Sequence, residues 1–332
     1  MTKKELVKAA IRGEKLKSIP YAIWSHMPDV DRDVPAIVQR TYDFYKAYDV
    51  DIVKTMNNGM YSVEDFGCEI DFSDVAKGGV AKVISTPIKC ADDWLTIKEV
   101  SIEKGALKRE LTYLHDLLER LKGEEVPVVF TVFSPMTTAN KLCGGKVLDY
   151  IAQGYGPQIH EALKEITKTT VKLVERTIEL GADGIFLASQ MSSYQICDES
   201  CYKEFGAPYD TQLIMASKGW CNILHSHGTN IMFDILKDYP VQIFNWHAWE
   251  TLPSVEEVSC FVGKTIMGGI DRMDITNGHK NEVRHQIYET IKQTHGRNLI
   301  LSPGCVIRHP LNTEMLSFVK KVKDEVEKIV LA

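Results

Sequence analysis

The chain alternates short apolar runs with helical stretches from one end to the other, and this rhythm restricts the fold more than any other feature. The candidate strands are Pro20–Trp24, Asp51–Thr55, Val128–Phe133, Gly184–Ser189, Asn222–His225, Val241–Asn245, Thr265–Gly268 and Leu299–Ser302. They are rich in Val, Ile and Phe and mostly lack polar alternation, as expected of strands covered on both faces. Helical patterns fill the gaps at Pro35–Tyr48, Lys108–Lys122, Pro157–Leu180, Asp198–Lys218, Ile231–Lys237, Ser254–Phe261, Asn281–His295 and Asn312–Ile329. Asp198 suits an N-cap, and Pro157 a first helical turn. Eight strands, nearly all followed by a helix, predict a (βα)8 TIM barrel rather than an open sheet. Residues 57–107 break the rhythm and read as a hairpin-like insertion after the second strand, turning at Lys77-Gly78-Gly79. With no linker, repeat or low-complexity tract, residues 1–332 form one domain.

Composition narrows the function classes. The 332 residues are 44% hydrophobic and 25% charged, enough to bury a large core. A net charge of −6 without a basic run argues against nucleic acid or an anionic membrane as partner. The N-terminal stretch reads as an amphipathic helix with lysines on its polar face, not as a signal peptide, and no run approaches the roughly 20 apolar residues of a membrane span. The eight cysteines are scattered without a C-x-x-C pair, which suits thiols in a reducing compartment. A cytoplasmic enzyme is the expectation.

In a parallel barrel the reactive side chains sit at the C-terminal ends of strands. The unusual residues of this chain fall there: Trp24-Ser25-His26, Asn57-Asn58-Gly59, Ser134-Pro135-Met136, Gln190, His225-Ser226-His227-Gly228, Trp246-His247, Gly269-Ile270-Asp271-Arg272 and Pro303-Gly304-Cys305. Side chains two apart on an extended segment point the same way, so His225 and His227 can reach one ion. Cys305 could add a soft third ligand. Two imidazoles and a thiolate suit Zn²⁺ with a fourth position left open. The alternative is three core or loop residues without a metal, since H-x-H alone is a weak motif.

The runs NILHSHGTNIMFDILKDYPVQIFNWH, GKTIMGGIDR and LSPGCVI, with GADGIFLASQ and YAIWSHMPDVDRD upstream, resemble the uroporphyrinogen decarboxylase superfamily. That family includes the haem-pathway decarboxylase and zinc-dependent methyltransferases that work with corrinoid proteins. The decarboxylase carries an Arg-rich segment after its first strand and an Asp after its second. Here those positions read Trp24-Ser25-His26-Met27-Pro28-Asp29 and Lys54-Thr55-Met56-Asn57-Asn58, with chiefly Arg32 and Arg272 to meet a substrate of many carboxylates. The methyltransferases hold zinc with His-x-Cys-Gly after strand five and Cys after strand eight. The resemblance therefore implies a zinc site at His225, His227 and Cys305, with His227 standing where those enzymes have a Cys. One thiolate in place of two leaves the site formally +1, a better Lewis acid for an ether oxygen. The resemblance and this charge together imply a methyltransferase that moves a methyl group from a methoxylated, aromatic-ether donor to the Co(I) corrinoid of a partner protein. The alternatives are transfer from a methylcorrinoid to a thiol or folate, and a metal-free decarboxylase. No Asp-x-His-x-x-Gly stretch is present, so a corrinoid would arrive on a separate protein. Related barrels often pair as homodimers.

The remaining mouth residues carry weaker expectations. His247 and Asp271 are candidate catalytic residues, as acid/base or as partners orienting a zinc-bound imidazole. Asp271 could equally cap a loop. Trp24, His26, Asn57, Asn58, Tyr61, Gln190, Tyr194 and Trp246 are substrate-binding candidates, the aromatics lining a funnel with Phe66 and Trp249. Rim packing, a turn at Asn58-Gly59 and backbone hydrogen bonds are the corresponding structural readings. Glu250 is an outside candidate for a fourth metal ligand, and Cys197 and Cys201 read as a core pair.

Overall fold

The computed structural model describes residues 1–75, 81–261 and 263–331. Its strands are β1 (Val53–Lys54), β2 (Glu69–Asp71), β3 (Lys82–Ser85), β4 (Val128–Phe133), β5 (Gly184–Ser189), β6 (Ile223–Ser226), β7 (Ile243–Trp246), β8 (Thr265–Ile270) and β9 (Leu299–Pro303). Seven of them form one parallel sheet in the order β1-β4-β5-β6-β7-β8-β9, with helices between. The sheet curls, and the segment around Tyr21–Ser25 lies against its last strand through the parallel bridge Tyr21↔Leu301 and against the residues after it through Ser25↔Ile307. On its other side Tyr21 O accepts from Asp51 N at 2.8 Å. The hydrogen bonds thus pass from β9 through this segment towards β1, a barrel-like arrangement. The expected first strand is present only as bridges, in part because Pro20 has no N–H to donate.

The strand interiors are buried on both faces. All six residues of β4, β5 and β8 are buried, which explains why their sequences carry no polar alternation. Long amphipathic helices cover the outside, among them Gly156–Leu180 and Thr313–Val330. The helix expected over Asp198–Lys218 is two helices, Glu199–Phe205 and Ala207–Ala216. The break falls at Gly206, where a Cβ would meet the Tyr202 ring at 2.4 Å, and Pro208 opens the second helix. Pro135–Leu142 and Val147–Ala152 are helices that the sequence did not suggest.

Within 57–107, β2 and β3 pair antiparallel, apart from the main sheet. The expected turn at Lys77-Gly78-Gly79 lies outside the described residues. Among the described residues, no helix is long and apolar enough to cross a membrane.

A buried polar knot ties helices Glu199–Phe205 and Ala207–Ala216 to each other and to the end of β5. The Asp210 carboxylate accepts from Tyr202 Oη at 2.6 Å and Tyr239 Oη at 3.2 Å, and Tyr202 meets Ser189 at the end of β5. Burial pushes the Asp210 carboxyl up to about 6. A folded-state value above the unfolded value of about 3.9 means that folding favours the protonated acid. The contribution is fully present below about pH 4 and is lost as the pH rises through about 6. Relative to Asp210→Asn, the wild type is therefore expected to lose about 2–3 kcal/mol between pH 4 and pH 7. Urea unfolding of both proteins at the two pH values measures this, and a pH-independent difference would contradict it.

Candidate metal centre

Parallel pairing brings the chemistry to one end of the sheet. His225 of β6 lies in register with Asn245 of β7. His227 N donates to Ser189 O at 2.9 Å, so the chain stays extended past β6 and His227 faces the same way as His225. His247 follows Asn245 at the same spacing. Cys305 enters just beyond β9, where Gly304 permits a close approach: a Cβ there would sit 2.7 Å from His247 Cα and from Trp246 O.

These four side chains converge. One potential ligand atom from each of His225, His227, His247 and Cys305 lies within 4.8 Å of all the others. Cys305 Sγ is 3.6 Å from His225 Nε2 and 3.6 Å from His227 Nδ1, and His247 Nε2 is 3.3 Å from His227 Nδ1. His225, His247 and Cys305 are buried, and His227 is half-buried. Such a cluster can hold a metal ion.

Neighbouring groups aim the donors. Asn245 Nδ2 donates to Met267 O at 2.7 Å, which turns its Oδ1 towards His225 Nδ1. His225 therefore carries its proton on Nδ1 and presents the Nε2 lone pair to the cluster. His247 Nδ1 meets Glu250 Oε2 at 3.2 Å, leaving its Nε2 facing inward. Burial would raise the Cys305 thiol, but the three imidazoles hold it well below its ordinary value, His225 foremost. Burial lowers His225. His247 would also be lowered by burial, yet Cys305 and Glu250 bring it up to about 9.

Several candidates from the sequence are held by hydrogen bonds or packing within the protein. Asn57 accepts from Thr55 Oγ1 and donates to Glu110 at 2.8 Å, so both ends of its amide are committed. Asn58 donates to Asp31 at 3.0 Å and accepts from Met60 N at 2.9 Å, closing its turn. Tyr61 is buried and donates to Thr131 O at 2.7 Å. Trp246 is fully buried against Phe244, because strand alternation turns it outward when Asn245 and His247 turn in. Asp271 accepts from Met273 N at 2.7 Å and caps helix Arg272–Asn277, while the orienting partners of the imidazoles are Asn245 and Glu250. Glu250 stands behind His247, with Arg272 Nε at 3.4 Å, and is not among the convergent donors.

Others border the mouth. Trp24 is buried edge-on against Phe186, whose ring stacks on His225. Gln190 is half-buried, its N–H donating to Thr137 Oγ1, and Tyr194 is exposed, its hydroxyl donating to Glu199. Trp249 is exposed, and its indole donates to Gly269 O. Phe66 packs against the core. His26 is exposed. Its proton affinity falls to about 4, chiefly from crowding by neighbouring groups and then from Lys54, with Cys305 opposing and Lys141 adding to it. At neutral pH His26 is an uncharged imidazole.

A family model for uroporphyrinogen decarboxylase (URO-D) matches residues 2–325. The chain belongs to the URO-D family. No curated protein sequence matches it significantly. Among solved structures, a methyltransferase from Methanosarcina mazei superimposes with TM-score 0.85 at 17% identity, covering 98% of this chain and 99% of that one. A B12-independent methionine synthase from Shewanella sp. W3-18-1 gives TM-score 0.62 at 12% identity, over 97% and 99% of the two chains. A putative B12-independent methionine synthase from Listeria monocytogenes gives 0.57 at 10%, over 95% and 97%. At these identities the likeness is one of fold. Family membership points to an enzyme.

Asn245 was the residue that sequence reasoning missed. Its signal was there: N-x-H at the end of β7 repeats the spacing of H-x-H at the end of β6. Removing this support should weaken metal binding without removing a donor. In titrations of chelator-treated protein with Zn²⁺ or Co²⁺, wild type is expected to bind one ion per chain, and Cys305→Ser or His227→Ala to lose most of it. Asn245→Ala should weaken binding by about 10–100-fold. Undiminished affinity in all three variants would mean that the cluster does not bind the ion.

Proposed function

We propose that this URO-D family member is a zinc-dependent methyltransferase that takes a methyl group from a methoxylated compound and delivers it to the Co(I) corrinoid of a partner protein. The observation that carries the reading is the donor set: three imidazoles and a single cysteine converge, and two of the imidazoles are held from behind by Asn245 and Glu250. Spacing supports zinc. Contacts of 3.3 and 3.6 Å match the edges, about 3.3–3.8 Å, of a tetrahedron built on bonds of roughly 2.0–2.3 Å. His225, His227 and Cys305 would be ligands, and His247 a fourth or an exchangeable one. With one thiolate the bound ion would keep a formal charge of +1 and act as a Lewis acid on the donor's ether oxygen.

The chain's own residues do the rest. Asn245 and Glu250 hold two imidazoles in their tautomers. His26, uncharged at neutral pH, would offer a hydrogen bond to substrate without competing for protons. The methyl carbon would leave its oxygen with the electron pair staying behind, and the resulting alkoxide or phenoxide would take a proton from solvent. A closed eight-stranded barrel, with residues 57–107 as an insertion, is the architecture assumed. Exposed Ile196, Trp249 and Leu252 on the loops beyond β5 and β7 would face the corrinoid protein.

Uroporphyrinogen is a poor fit. Arg272 is engaged by Glu250, and Arg32 lies over the Phe72 ring at 4.0 Å, so neither of the guanidiniums expected at the mouth stands ready for a ring of carboxylates. The test is single-turnover methyl transfer to cob(I)alamin from methoxylated compounds, alongside incubation with uroporphyrinogen. We expect demethylation and no decarboxylation. His227→Cys should keep zinc but slow ether cleavage at least about tenfold, because a second thiolate removes the residual charge. Equal rates at equal zinc occupancy would remove the support for an ether donor over a thiol acceptor.

A further inference from the structure

The carboxylate behind His247 is itself held from two directions. Residues His247, Ala248, Trp249 and Glu250 form a turn closed by Glu250 N, which donates to His247 O at 2.9 Å. In that turn Trp249 enters the left-handed region, at φ 74°, where glycine or asparagine is the usual choice and a bulky side chain is uncommon. Its indole N–H donates to Gly269 O at 3.0 Å, which fastens the turn to the strand leading into Asp271 and Arg272. The chain reverses there, and the Glu250 side chain comes back to His247, with Oε2 3.2 Å from Nδ1. Strain of this kind collects at functional sites, where the surroundings over-determine the backbone.

Arg272 meets the other oxygen of the same carboxylate. Its Nε is 3.4 Å from Glu250 Oε1, and the two side chains are only 14% and 17% exposed. Neither atom reaches solvent, and neither has a hydrogen-bond partner among the described residues. Charges enclosed in this way depend on each other, because removing one leaves its partner without water or a counter-charge. Arg272 is fixed at its own root: Asp271 caps the helix that Arg272 begins, and Asp271 N donates to Gln286 Oε1 at 3.0 Å. A line of contacts thus runs from Arg272 through Glu250 and His247 to the cluster, where His247 Nε2 is 3.3 Å from His227 Nδ1. A salt bridge that merely tied two loops would not need the strained turn that brings Glu250 back to an imidazole.

We propose that Arg272 is a positioning residue of the metal centre, which acts through Glu250 to fix the ring of His247 as a ligand. This deepens the methyltransferase reading and rests on its metal-binding part, though not on methyl transfer. Without the guanidinium, Glu250 Oε1 would be left buried and unpaired, and the carboxylate would turn away towards water. His247 would then lose the acceptor that keeps its proton on Nδ1 and its Nε2 lone pair inward. His225, His227 and Cys305 would still hold the ion, more weakly and in a changed geometry.

The test is a double-mutant cycle in Co²⁺ binding to the full-length, chelator-treated protein, followed by the visible absorption of the ion, with Arg272→Met, Glu250→Gln and the two combined. We expect Arg272→Met to weaken binding about tenfold and to shift the visible bands. Arg272→Lys should recover part of the affinity, and in the Glu250→Gln background Arg272→Met should change nothing further. Thermal unfolding of the metal-free variants shows whether they fold, and if Arg272→Met does not, Arg272→Gln takes its place in the cycle. Affinity and spectrum unchanged by the arginine substitution, or an equal loss in both backgrounds, overturns the positioning role and leaves the metal centre standing. A wild type that binds no Co²⁺ overturns the metal centre and the positioning role with it. Coupled binding without methyl transfer to cob(I)alamin keeps the positioning role and rejects the methyltransferase reading.

Discussion

The register that sets His225 beside Asn245 on adjacent parallel strands is the constraint on which the centre depends. A one-residue slip of β7 against β6 would exchange Asn245 and His247 for Phe244 and Trp246 on the inward face. It would also bury two polar side chains among the outer helices. The apolar outward residues, packed in the core, therefore hold the polar inward ones in place. Core packing and ligand placement are two results of one alternation.

Much of this was legible in the sequence, and the part that was not has physical reasons. H-x-H and the Cys after Pro-Gly were readable because period two applies along one strand. Asn245 acts across strands, so finding it needed the register as well. Asn57 and Asn58 are a similar case. Their position at a strand end suggests substrate contact, and their hydrogen bonds to Glu110 and Asp31, which come from elsewhere in the chain, are visible only in the fold. Lys54 and Lys141 stood in plain view, one at the end of an apolar strand. Only the fold reveals that, among the described residues, neither forms an ion pair with an Asp or Glu. The strand rhythm itself was a sound guide because burial on both faces suppresses polar alternation. It erred at Gly206, where a packed tyrosine divides one long pattern into two helices.

The mouth divides its labour by strand. Beyond β6, β7 and β9, three imidazoles and a cysteine gather around a single point. Beyond β1 and β4 stand positive charges and the uncharged His26.

The bridge between Ser25 and Ile307 joins residues 282 positions apart. The Glu327 carboxylate, near the far end of the chain, accepts from Ile19 N at 2.6 Å. During synthesis the first segment of the mouth must wait, with one edge unpaired, until almost the whole chain has emerged. Trp24 and His26 can gain their final surroundings only once Ile307 has emerged, two residues after Cys305. Closure of so long a loop is entropically slow. A growing chain therefore has no complete cluster until Cys305 has emerged.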